Sequence, residues 1–142
     1  MQISFSESRK VNMPKCVLLG LLVILLLTFV SCSSPRIKVS KEAPPIFYTS
    51  GDNIVTLFQV SSDAGAVWKI YPEGRVSLGE IKTIKYGEVP PSWKQEAPLN
   101  SAPPPLVEGE KYQAFAVISD SDVVRVYFTI KEGKILELPK EH

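Results

Sequence analysis

Lys111–Ile118, KYQAFAVI, and Val123–Ile130, VVRVYFTI, decide the fold of this chain. In the second run Val124, Val126, Phe128 and Ile130 alternate with Arg125, Tyr127 and Thr129, the period of two expected of a strand with one face buried. Ser119-Asp120-Ser121-Asp122 separates the runs with turn chemistry, and Lys131-Glu132-Gly133-Lys134 turns the chain into a further strand over Ile135–Leu138. The same pattern extends upstream. IFYTS (46–50), IVTLFQV (54–60) and AVWKIY (66–71) are rich in β-branched and aromatic residues. Gly51-Asp52-Asn53, Ser61–Gly65 and Pro72-Glu73-Gly74 punctuate them, and Ile81–Ile84 reads as another strand with a polar outer side. No stretch after Cys32 carries a helical period of useful length. The reading is an all-β domain over 46–139, a sandwich or small barrel, followed by a tail at 140–142.

Glu88–Pro105, EVPPSWKQEAPLNSAPPP, interrupts the pattern with Pro90, Pro91, Pro98, Pro103, Pro104 and Pro105. Each proline removes a ladder donor, so no central strand survives there. The segment reads as a long ordered loop with polyproline character lying on the sheet, with room for one short edge strand.

At the other end of the chain, Lys15–Cys32 reads KCVLLGLLVILLLTFVSC. A cation precedes 15 apolar-rich residues, Cys16–Val30, and no charge follows until Arg36. That length fits the core of a signal peptide better than a membrane span, which needs about 20 residues. The stretch resembles a bacterial lipoprotein signal peptide, cut just before a cysteine that carries lipid. Val30, Ser31 and Cys32 match that family's cleavage box, and Phe29 stands where an aliphatic residue is usual. The resemblance implies a signal over 1–31, lipid on Cys32 and a firm membrane anchor. An uncleaved anchor helix, or ordinary cleavage after Cys32 or Ser33, remain the alternatives. Either Met1 or Met13 as the start gives the same mature chain. Ser33 follows the cysteine where, in lipoproteins of two-membraned bacteria, aspartate is the usual inner-membrane signal; in such a cell the implied location is the periplasmic side of the outer membrane, and in a cell with one membrane the outside of the cytoplasmic membrane. Ser33–Pro45, with three prolines and mixed charges, reads as a flexible tether reaching about 43 Å when extended.

Removing the first 31 of 142 residues leaves 111, enough for one small domain. The mature chain keeps 13 of the 16 basic and 14 of the 15 acidic residues, a net charge of −1. That balance gives no electrostatic reason to expect nucleic acid, and no polybasic run marks a lipid-headgroup reader. Cys16 departs with the signal, so the domain has no internal disulfide and depends on a packed core. It is expected to be a monomer.

One local motif refines the fold. Leu106-Val107-Glu108-Gly109-Glu110-Lys111-Tyr112 resembles the tyrosine corner of fibronectin type III domains, L-x-P-G-x-x-Y, with Glu108 in place of the proline. The resemblance covers Ile46–Pro139 and implies an Ig-like sandwich. In it the Tyr112 hydroxyl bonds the upstream backbone, Gly109 makes the sharp turn, and Trp68 is a core residue. The 44 residues from Trp68 to Tyr112, and the 27 from Tyr112 to Pro139, keep the family's proportions.

Few residues point to chemistry. His142, the only histidine, is the last residue, and the chain has no G-x-S-x-G, phosphate loop or His/Cys cluster. Asp120 and Asp122 lack the further oxygen ligands and glycine of a calcium loop, and turn propensity explains them. Glu108 and Glu110 read as solvated. No catalytic residue, metal or cofactor is expected. Trp93, in Pro-Pro-Ser-Trp-Lys with Tyr86 seven residues upstream, reads either as a lid on one edge of the sandwich or as an aromatic platform for a glycan or peptide. The leading expectation is a lipid-anchored interaction or structural module of the cell envelope. The alternative is a ligand-binding lipoprotein that uses the Trp93 loop.

Overall fold

The alternating runs become strands that bury one side chain in two. The computed structural model describes residues 34–119 and 122–140; the signal stretch, Cys32, Ser33, Asp120 and His142 lie outside them. In chain order the elements are β1 (Arg36–Val39), β2 (Ile46–Ser50), β3 (Ile54–Ser62), β4 (Gly65–Pro72), β5 (Val76–Ser77), α1 (Leu78–Ile81), β6 (Thr83–Lys85), β7 (Trp93–Ala97), β8 (Lys111–Ile118), β9 (Val123–Lys131) and β10 (Lys134–Leu138). The strands form two antiparallel sheets. The smaller has the order β1-β2-β6; the larger has the order β10-β9-β8-β3-β4-β7, with β5 pairing against β3.

Phe47 of the small sheet joins the layers. Its ring lies 5.2 Å from Phe58 on β3 and 5.8 Å from Phe128 on β9, both tilted. Phe58 meets the edge of Trp68, and Trp68 meets Tyr86 in the same geometry, arrangements that aromatic quadrupoles favour. Space for these rings comes from β8, where Ala114 and Ala116 are fully buried and stand opposite Val60 and Phe58 on β3. On β9, Val126, Phe128 and Ile130 point inward as their alternation predicts, with Val124 half-buried.

Two segments differ from the sequence reading, and a third fits it. Ser33–Pro45 is not a plain tether, because Arg36–Val39 pairs with Phe47–Ser50 and buries Ile37. Beyond the strand, the Ser40 N–H donates to the Ile46 carbonyl, and the Lys41 carbonyl accepts from Ile135 N–H at 2.9 Å. The chain from 36 to 42 therefore bonds to both sheets, and the domain begins before residue 46. Ile81 does not open a strand but ends α1. Ser77 caps this turn, accepting from the Glu80 N–H while the Glu80 carboxylate accepts from the Ser77 N–H, the reciprocal box that satisfies two orphan donors. Those bonds hold the Glu80 carboxyl below its usual pKa. Gly79 fits because its N–H donates to the Gly51 carbonyl at 2.7 Å, and an added Cβ would stand 3.1 Å from that oxygen. Finally, the proline-rich segment does hold one edge strand, β7, paired with β4.

Candidate functional site

The tyrosine corner forms through backbone bonds at both ends of its glycine. The Tyr112 hydroxyl accepts from the Val107 N–H at 2.7 Å and donates to the Glu110 carboxylate at 2.9 Å. Gly109 has φ +85°, a conformation that disfavours any side chain, and its N–H donates to the Ile130 carbonyl. Thr129 Oγ1 donates to the Glu110 carbonyl at 2.7 Å. The corner is therefore fastened to β9 as well as to itself. Glu108, where the motif expects proline, accepts from the Glu132 N–H in the β9–β10 turn. Glu108 and Glu110 were expected to be merely solvated; both are exposed, yet each holds a structural bond.

Tyr112→Phe keeps the stacked contact with Phe128 but leaves the Val107 N–H without its acceptor. The expected cost is about 1–2 kcal/mol, read as a fall in the denaturant midpoint with an unchanged slope. An unchanged midpoint would show that the hydroxyl does not pin the corner.

The aromatic residues singled out in the middle of the chain are structural. Trp68 is fully buried, and its indole N–H donates to Gln95 Oε1 at 2.8 Å. Gln95 turns its amide nitrogen to the Pro98 and Ser101 carbonyls. The Tyr86 hydroxyl donates to the Pro104 carbonyl at 2.7 Å. Gln95 and Tyr86 thus hold the proline segment at two points, and that loop is an ordered cover. Burial pushes the Tyr86 phenol up to about 12, helped by the charge of an ionised Tyr112; the Tyr112 phenol is raised too, mainly by its own burial. Trp93 is only 8% exposed and belongs to the core, as does Tyr86 at 9%. These two rings do not form an exposed platform, because β7 packs Trp93 beneath it. The lid reading of Trp93 fits this burial.

Other chemistry is sparse among the described residues. No group of three Asp, Glu, His or Cys side chains lies close enough to hold a metal ion. Asp122 is exposed, and its carbonyl accepts from the Ile118 N–H, closing the β8–β9 turn. Ion pairs link Lys69 with Glu96, Lys94 with Glu73 and Lys85 with Glu88, all with exposed carboxylates. Surface pairs of this kind contribute little to stability.

Sequence reasoning missed one surface. A shallow groove of about 590 Å³ runs along β1 and β2, lined in part by Lys38, Lys41, Glu42, Pro44, Tyr48 and Lys85. Its signal in the sequence was Arg36-Ile37-Lys38, an alternation of basic and apolar residues inside the supposed tether.

A scan of protein-family models and searches of curated proteins and of solved structures each found no match to this chain.

Proposed function

We propose that this chain is a lipoprotein of the bacterial cell envelope, anchored through Cys32, whose domain is a non-catalytic interaction or structural module of the fibronectin type III kind. The observation that carries the anchoring is the stretch Lys15–Cys32, with its 15-residue apolar run and its small residues before a cysteine. Ser33 beside that cysteine favours the outer membrane in a cell with two membranes.

The strand order supports the finer fold. Ig-like sandwiches place strands A, B and E on one sheet and C, F and G on the other, where C′ can join C. Here β1, β2 and β6 occupy the A, B and E places, and β4, β3, β8 and β9 stand as C′, C, F and G. The tyrosine corner then falls at the start of F, its place in that fold. Trp68 sits on C′ rather than C, and β7 and β10 extend the larger sheet at its two edges.

Cys32→Ser is expected to abolish lipid attachment and leave a full-length precursor in place of the processed chain. Immunoblots of membrane fractions read both outcomes. Normal processing and membrane retention of that variant would overturn the anchored reading.

A further inference from the structure

The outer face of the small sheet has an uneven charge. β1, β2 and β6 carry Arg36, Lys38 and Lys85 and contain no carboxylate. All three cations are exposed, and the alternation of the strands puts them on one side, with Ile37, Phe47 and Ile84 buried on the other. Register brings them together around one ring: Lys38 stands opposite Tyr48, Tyr48 opposite Thr83, and Ile46 opposite Lys85. Tyr48 is 49% exposed. Carboxylates near it include Glu42, in the groove beside the strands, Glu88, which pairs with Lys85, and exposed Asp52, two residues past Ser50. The cations are scattered in sequence, so no linear basic run announces them; the sheet collects them.

We infer that this basic, tyrosine-centred face docks on an anionic bilayer surface, that of the membrane carrying the Cys32 lipid. The inference rests on the anchored reading. Arg36, the first residue of β1, is four positions after Cys32, a span of at most about 14 Å when extended. With β1 folded into the domain, most of the tether length disappears, and the edge strand of this sheet is the part of the domain tied nearest to the lipid. Lys and Arg near an anionic surface are attracted to it. A tyrosine among them suits the headgroup region, where an apolar ring and a polar tip are both accommodated.

The test uses the mature protein in vesicles of phosphatidylglycerol or of phosphatidylcholine. Cys16 leaves with the signal and the Cys32 sulfur is blocked by lipid, so Ser50→Cys, on this face, adds the one reactive thiol. Its labelling by a bulky maleimide is expected to slow at least about tenfold in phosphatidylglycerol and not in phosphatidylcholine, with full reversal in 1 M salt. Ala64→Cys, in the exposed β3–β4 turn, is expected to label equally in both. Adding Arg36→Gln and Lys38→Gln to Ser50→Cys is expected to weaken docking roughly 25-fold, about fivefold per cation. Equal labelling of Ser50→Cys in both lipids overturns the proposal, as does protection at Ala64 alone. Protection that persists in phosphatidylcholine marks a second copy or another protein as the cover, and also overturns it. If wild type itself labels at Cys32, the anchor has failed rather than the face. Salt-sensitive co-sedimentation of that same protein with phosphatidylglycerol vesicles then supports docking, and its absence overturns it.

Discussion

Trp68→Ala is expected to lower stability by about 3–5 kcal/mol, the range for removing a large buried aromatic side chain. The ring touches Phe58 on one side and Tyr86 on the other, and its N–H satisfies Gln95. Losing it opens a cavity and frees the amide that holds the carbonyls of Pro98 and Ser101. The damage therefore reaches the proline cover as well as the core. For a domain of this size, whose total stability is about 5–15 kcal/mol, the melting temperature should fall by roughly 12 °C or more. Trp68→Phe separates the two effects, since it keeps much of the ring contact and removes the donor. Equal stability of Trp68→Ala and wild type would mean that the two sheets do not pack through this ring.

The second large effect comes from the chain that the sequence reading assigned to a tether. A chain beginning at Pro45 lacks β1, and with it the four residue pairs from Arg36–Ser50 to Val39–Phe47. Burial of Ile37 contributes about 1.5–3 kcal/mol, and the lost ladder bonds about 1 kcal/mol each. The bond from Ile135 to the Lys41 carbonyl disappears too, which frees β10 at that edge. This truncated chain is expected to melt at least 15 °C below one beginning at Ser34, or to show no cooperative transition. Ile37→Ala in the full chain checks that the loss is one of packing, with an expected cost of about 2–4 kcal/mol. Matching melting curves for the two truncations would mean that β1 adds nothing to the fold.

What the sequence made legible follows from where single residues decide the outcome. β9 was plain because strict alternation admits one register against a buried face, β8 because a β-rich run is bounded by turn residues, and Gly109 with Tyr112 because the corner is a local motif. The strand at Arg36–Val39 was hidden by its length. Four residues, RIKV, supply only Ile37 to the core, and their pairing partner lies beyond two prolines. The turn α1 was readable in principle, since Ser77-Leu78-Gly79-Glu80 fits a capping box. Gly79, a poor helix former, masked it; the reason for glycine is the close carbonyl of Gly51, a contact across the fold that no local window contains.

The site was less legible than the fold. Trp93 was open to two readings, lid or platform, because proline density says nothing about burial: its backbone N–H bonds the Pro90 carbonyl, and β7 lays the ring into the core. The basic face was only partly legible, its one local trace being Arg36-Ile37-Lys38 inside the supposed tether. Arg36, Lys38 and Lys85 are ordinary surface residues until the pairing of β1, β2 and β6 sets them on one side.

The most direct test of the proposed anchoring is the chemistry of the mature N-terminus. Protein taken from the membrane fraction and digested with trypsin is expected to yield the peptide Cys32–Arg36, CSSPR, carrying a thioether-linked diacylglyceryl group in its mass spectrum. A chain that keeps residues 1–31, or an unmodified Cys32 at the mature N-terminus, would contradict it.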